Sequence, residues 1–86
     1  MPAGAVHAVR ELQEAVRGYL RSHPLAADTL VGIRQWWLPE SLRSTSIEMI
    51  RLALAQMVAS GELRRETLGD GSHLYALPRA QDAGTP

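Results

Sequence analysis

The sequence predicts a mainly α domain of three helices closed by a C-terminal β-hairpin. Three observations carry that prediction. Two long segments repeat apolar residues every three or four positions, the mark of a helix with one buried face. A shorter segment of the same kind lies between them, bounded by Pro24 and Pro39. After Gly61 the period changes, and two short runs flank the turn Gly69-Asp70-Gly71.

The elements follow in order. Residues 1–4 are small and Pro-containing and are expected to fray, ahead of one domain over 5–78. Helix one is expected from about Ala5 to Ser22, with Val6, Val9, Leu12, Val16, Tyr19 and Leu20 on one stripe. Arg10, Glu11, Glu14, Arg17 and Arg21 lie off it. Pro24 ends the helix, because a residue before proline avoids helical geometry. Asp28 is a suitable N-cap for a second helix from about Thr29 to Leu38, which Pro39 stops.

In the third helix Thr45 is the expected N-cap, with Glu48 three residues on completing a capping box. The inward positions are Ile47, Ile50, Ala53, Leu54, Met57 and Val58, and Gly61 follows the end near Ser60 as a C′ glycine. In the hairpin, a two-residue Asp70-Gly71 turn would pair Arg64 with Leu77. A three-residue loop with Gly71 left-handed pairs Leu63 with Leu77 and Arg65 with Tyr75. Only the second sets Leu63, Tyr75 and Leu77 on one face, so it is the expected register. Residues 79–86 are expected to be a disordered tail.

Composition excludes several classes. The 86 residues contain no cysteine, which removes disulfides and cysteine-ligated metal sites. No signal peptide or membrane-spanning run is visible, so the cytoplasm is the expected location and no membrane partner is expected. Nine basic residues, all arginine, balance nine acidic ones. Nucleic-acid binders usually carry a basic excess, because neutralising phosphates supplies much of their affinity.

The two tryptophans, Trp36 and Trp37, are adjacent. Neighbours on a helix point about 100° apart, so both cannot face one small core. Leu30, Ile33 and Trp37 share a stripe, which makes Trp37 the core residue and leaves Trp36 half-exposed. Trp36 then either anchors a partner or covers another part of its own chain.

The run Ile50, Ala53, Leu54, Met57, Val58, Gly61, Leu63, Arg64 and Arg65, followed by Gly71 and Tyr75, resembles the third helix and wing of the winged helix-turn-helix superfamily. The stretch "ADTLVGIRQWWL" fits the second helix, and the resemblance covers about residues 5–78. The Trp-Trp end of helix two is similar to that of small uncharacterised bacterial winged-helix proteins. The resemblance implies a three-helix winged fold. It implies no single activity, because winged helices bind DNA, bind RNA or join proteins.

Candidate site residues fall into three classes. For enzyme chemistry, His7, His23 and His73 are scattered without metal-ligand spacing, and no nucleophile elbow or phosphate cradle is present. No catalytic residue, metal or cofactor is expected. For DNA, helix three would enter the major groove with Arg51 and Gln56 toward bases, Ser44, Thr45 and Ser46 toward phosphate, and Arg43, Arg64 and Arg65 adding charge. Glu48 and Asp70 oppose that dock. For a protein partner or a second copy, Met49, Leu52 and Gln56 form an outward stripe, joined by Trp36. The first reading is therefore a non-enzymatic interaction module. The alternative is a DNA-binding transcriptional regulator.

Overall fold

Helix α1 spans Ala3–Ser22 and lays Val9, Leu12, Val16 and Leu20 into the core. The computed structural model describes residues 3–78, with side chains from residue 6. The expected frayed start thus falls partly within α1, at Ala3 and Gly4, and the expected tail over 79–86 lies outside the described residues. Val6, the first apolar position of the expected stripe, is 42% exposed.

A short strand, β1 (Ala27–Asp28), follows the Pro24 turn and pairs antiparallel with β3 (His73–Ala76). Sequence periodicity did not reveal it, because two residues carry no alternation. The strand also moves the helix start. Asp28 lies opposite Tyr75 in the sheet, and Thr29 is the N-cap, its hydroxyl accepting from the Gly32 N–H at 3.3 Å. The Asp28 carboxylate instead accepts from the Thr29 N–H at 2.8 Å.

Helix α2 covers only Leu30–Gly32 and widens into a π turn over Ile33–Trp37. A 3-10 turn at Glu40–Leu42 leads to α3, Ile47–Ala59. Here Ser46, not Thr45, is the N-cap, accepting from the Met49 N–H at 3.2 Å. Thr45 is held in the preceding turn by its N–H bond to the Leu42 carbonyl, so Glu48 sits one position too early to close a capping box. At the far end Gly61 has φ 84, and the Gly61 and Glu62 N–H groups bond to the Val58 and Met57 carbonyls. That is a Schellman closure of the last turn.

Strand β2 (Arg64–Thr67) pairs with β3 in the expected register, Arg65 opposite Tyr75. Leu68 and Ser72 close the loop, and Gly71 is left-handed at φ 89. The sheet order is β1-β3-β2. Central position explains why Tyr75 and Ala76, on opposite faces of β3, are both buried.

The core joins the α1 stripe to Ile33, Trp37 and Leu38, to Ile50, Ala53, Leu54 and Met57 of α3, and to Leu63 and Tyr75. Each large apolar side chain removed from water here contributes about 1.5–3 kcal/mol. Ile47 and Val58, expected inward, are half-buried. Three helices followed by an antiparallel hairpin are consistent with a winged-helix fold.

Candidate functional site

The second helix sets the two tryptophans apart. On a regular helix Leu38 would point about 140° from Ile33, away from the core. The structure instead bonds the Leu38 N–H to the Ile33 carbonyl, five residues back, at 3.2 Å. The wider turn lets Ile33, Trp37 and Leu38 all become buried. Trp36 is left outside, 67% exposed, while Trp37 is 5% exposed. No aromatic ring stacks on Trp36 among the described residues, whereas Trp37 lies against Tyr19, and Tyr19 against His23. Turns of this kind recur at functional sites.

The α3 stripe divides. Met49 is half-buried and packs against the core rather than pointing outward. Leu52 is 38% exposed and lines a hollow of about 260 Å³ with Gln56 and with Val6, Val9, Arg10 and Gln13 of α1. The Gln13 amide crosses this contact, donating to the Ala53 carbonyl at 3.2 Å and to the Gln56 side-chain oxygen at 3.1 Å. Trp36 is not among the residues lining that hollow. The residues assigned to a partner therefore part company: Trp36 stands in the π turn after α2, Leu52 and Gln56 line the α3–α1 seam, and Met49 belongs with the core.

The residues assigned to nucleic acid are more widely spread. Arg51 lines a hollow of about 390 Å³ between α2, α3 and the β2–β3 hairpin, facing Ser72 and His73, but its guanidinium lies 3.3 Å from Glu48. Ser44 is exposed, Thr45 is half-buried, and Ser46 is committed to its cap. Arg64 bonds to the Leu77 carbonyl at 3.2 Å and pairs with Glu66 at 3.5 Å, so it braces the sheet. Arg65 is exposed on β2. Asp70 closes the hairpin loop, accepting from the Ser72 hydroxyl at 2.6 Å and the Ser72 N–H at 3.0 Å. Those bonds, the hydroxyl first, hold its carboxyl below the usual range.

Arg43, a candidate from the sequence, has a neighbour that the sequence does not point to, Arg34. The Arg34 Nε donates to the Arg43 carbonyl at 2.9 Å, across the Pro39 turn. Arg34 and Arg43, with Val31 and Gln35, line a hollow of about 290 Å³. Neither arginine has a carboxylate within ion-pair distance among the described residues. No spacing rule announces such a pair, because the 3-10 turn at Glu40–Leu42 creates the approach.

His7, His23 and His73 stay apart, on α1, beyond its end and on the wing. Among the described residues no three His, Asp or Glu side chains gather closely enough to hold a metal ion, and no helix is long and apolar enough to cross a membrane. Comparison with models of known protein families, with curated proteins and with solved structures finds no match.

Proposed function

We propose that this chain is a winged-helix interaction module without catalytic activity, which engages a protein partner through Trp36 and the exposed part of α3. The exposure of Trp36 carries this reading. A domain this small needs its large side chains for the core, and here one of its two tryptophans stands outside it, on a π turn that buries its neighbours. Tryptophan is enriched among residues that dominate binding energy, because it covers a large area and keeps one donor. Leu52, with Gln56, supplies a second exposed contact.

Duplex binding is the second reading, favoured by the position of Arg51 beside the wing. Glu48 opposes it, since it draws the Arg51 guanidinium to itself and stands in the first turn of α3. The overall balance of charge weakens it further.

A photo-reactive benzoylphenylalanine at position 36 tests the choice in cells. The proposal expects a discrete protein adduct from position 36, absent when the same group replaces exposed Glu11 on α1. An adduct of twice the chain mass would identify the partner as a second copy. Adducts to DNA, or none, would overturn the reading.

A further inference from the structure

The geometry points to a partner segment of defined chemistry: we infer that the hollow formed by Val31, Arg34, Gln35 and Arg43 captures an acidic side chain of a peptide whose apolar neighbour rests on Trp36. The inference rests on the reading of this chain as an interaction module.

Charge is the first argument. Arg17, Arg51 and Arg64 each sit beside a carboxylate of their own chain. Arg34 and Arg43, like Arg10, Arg21 and Arg65, have no such carboxylate among the described residues, but Arg34 and Arg43 line one hollow together. The bond from Arg34 Nε to the Arg43 carbonyl fixes the guanidinium stem, and its terminal nitrogens have no partner among the described residues. A pre-positioned guanidinium fork suits a carboxylate, which it meets with two parallel bonds.

Size and apolar character narrow the choice. A hollow of about 290 Å³ is at the lower edge of small-molecule pockets and suits one anchoring side chain. Its wall includes Val31, 65% exposed, while Trp36 is not part of that wall and follows Gln35 in the π turn. An exposed apolar side chain in the wall, beside two arginines with no carboxylate at ion-pair distance among the described residues, matches a peptide of alternating acidic and apolar character.

A continuous polyanion fits less well. Glu40 is exposed, and the Arg43 N–H bonds to its carbonyl at 3.2 Å, so a carboxylate stands in the turn that carries Arg43. Glu48 follows in the first turn of α3. A nucleic-acid strand crossing this corner would meet both acids, whereas a single carboxylate side chain need not.

The test pans a random dodecapeptide display library on the full chain, then titrates the selected synthetic peptides into the isotope-labelled protein. The inference expects peptides enriched in Asp or Glu next to aliphatic residues. They should shift the Trp36 indole N–H and the Arg34 Nε–H signals and leave the Trp37 indole in place. Arg43→Gln, at an exposed side chain, should weaken binding about tenfold, and the Arg34→Gln, Arg43→Gln double variant further, with the Trp37 indole reporting an intact fold. Peptides that move the Trp36 indole but carry no acidic residue, or ignore Arg43→Gln, would overturn the inference and leave the interaction reading standing. Displacement of the peptides by a random-sequence duplex at physiological salt would overturn it in favour of nucleic acid. A library that yields no binder would overturn it too. The position-36 cross-link then decides separately whether the interaction reading falls with it.

Discussion

The Tyr19 ring lies almost flat on the Trp37 indole, with centroids 4.9 Å apart and planes 9° from parallel. That stack joins α1 to the end of the second helix and fixes which of two adjacent tryptophans belongs to the core. Trp37→Ala would open a cavity beneath Tyr19 and should cost about 3–5 kcal/mol, a large part of the stability of a domain this size. Trp36→Ala should cost under about 1 kcal/mol, as exposed substitutions do. Denaturant melts of the two variants measure the difference, and near-equal losses would mean that Trp36 is held by contacts the exposed position does not provide.

The hairpin of β2 and β3 depends on Gly71. Its φ of 89 lies where a side chain is penalised by about 1–2 kcal/mol, although open space surrounds the position. Gly71→Val should therefore destabilise the hairpin by backbone strain alone. Asp70→Asn keeps an oxygen for Ser72 and should be nearly neutral, while Asp70→Ala should loosen the tip. Hydrogen exchange at the Leu68 and Ser72 amides distinguishes these cases.

Gly32 answers to space rather than to backbone angle. A Cβ there would overlap the Asp28 carboxylate, which is tied to the Thr29 N–H. Gly32→Ala should cost about 1–3 kcal/mol by pushing Asp28 away, as overpacking commonly does. Asp28→Ala should recover part of that loss in the double variant. Simple addition of the two single effects would show that the groups do not compete.

Acid sensitivity should centre on the contact between α1 and the turn after α3. Arg17 donates to Glu62 through Nε at 2.7 Å and Nη2 at 2.9 Å, and also pairs with Glu14 at 2.9 Å. The Arg17 hydrogen bond holds the Glu62 carboxyl below its ordinary value of 4.5. A depressed acid stabilises the fold fully above its ordinary value, and the contribution fades as pH falls through the lowered one. Stability should thus be flat through neutral pH and decline below about pH 4.5, where the unfolded chain binds the proton first. Glu62→Gln should lessen that decline, leaving the share that Asp70 contributes, and cost no more than about 1 kcal/mol at neutral pH, since the pair is partly exposed. Urea midpoints collected from pH 3 to pH 7, on the order of one unit apart, report the slope.

Much of the scaffold was legible because it rests on local rules. The period of α1, the left-handed glycines and the hairpin register each follow from residues within a few positions of one another. The start of the second helix was not legible, because pairing of Ala27 and Asp28 with a strand about fifty residues later decides it. The N-cap of α3 moved from Thr45 to Ser46 because the 3-10 turn claims Thr45. In the candidate site, the facing of Trp36 and Trp37 could be read from the stripe through Ile33. The π turn that buries Leu38 beside them could not, since a regular 3.6-residue period assigns Leu38 to the other side. Met49 packs inward because it stands four positions before buried Ala53, on the same face of a regular helix, while Leu52 turns toward α1. The Arg34–Arg43 approach depends wholly on the intervening turn.

The most direct measurement of the central claim is a salt-titrated binding assay against a randomised duplex DNA pool. Duplex affinity depends on counterion release, with log K falling by about 0.9 per log unit of salt for each phosphate neutralised. With Arg51 beside Glu48, Arg64 beside Glu66 and no excess of basic charge, few phosphates can be neutralised on the α3 and wing face. The interaction-module account predicts no duplex binding tighter than about 10⁻⁵ M at physiological salt and no enriched sequence, as for non-specific contact. A sequence-selective complex at sub-micromolar protein, lost on Arg51→Ala, would contradict it.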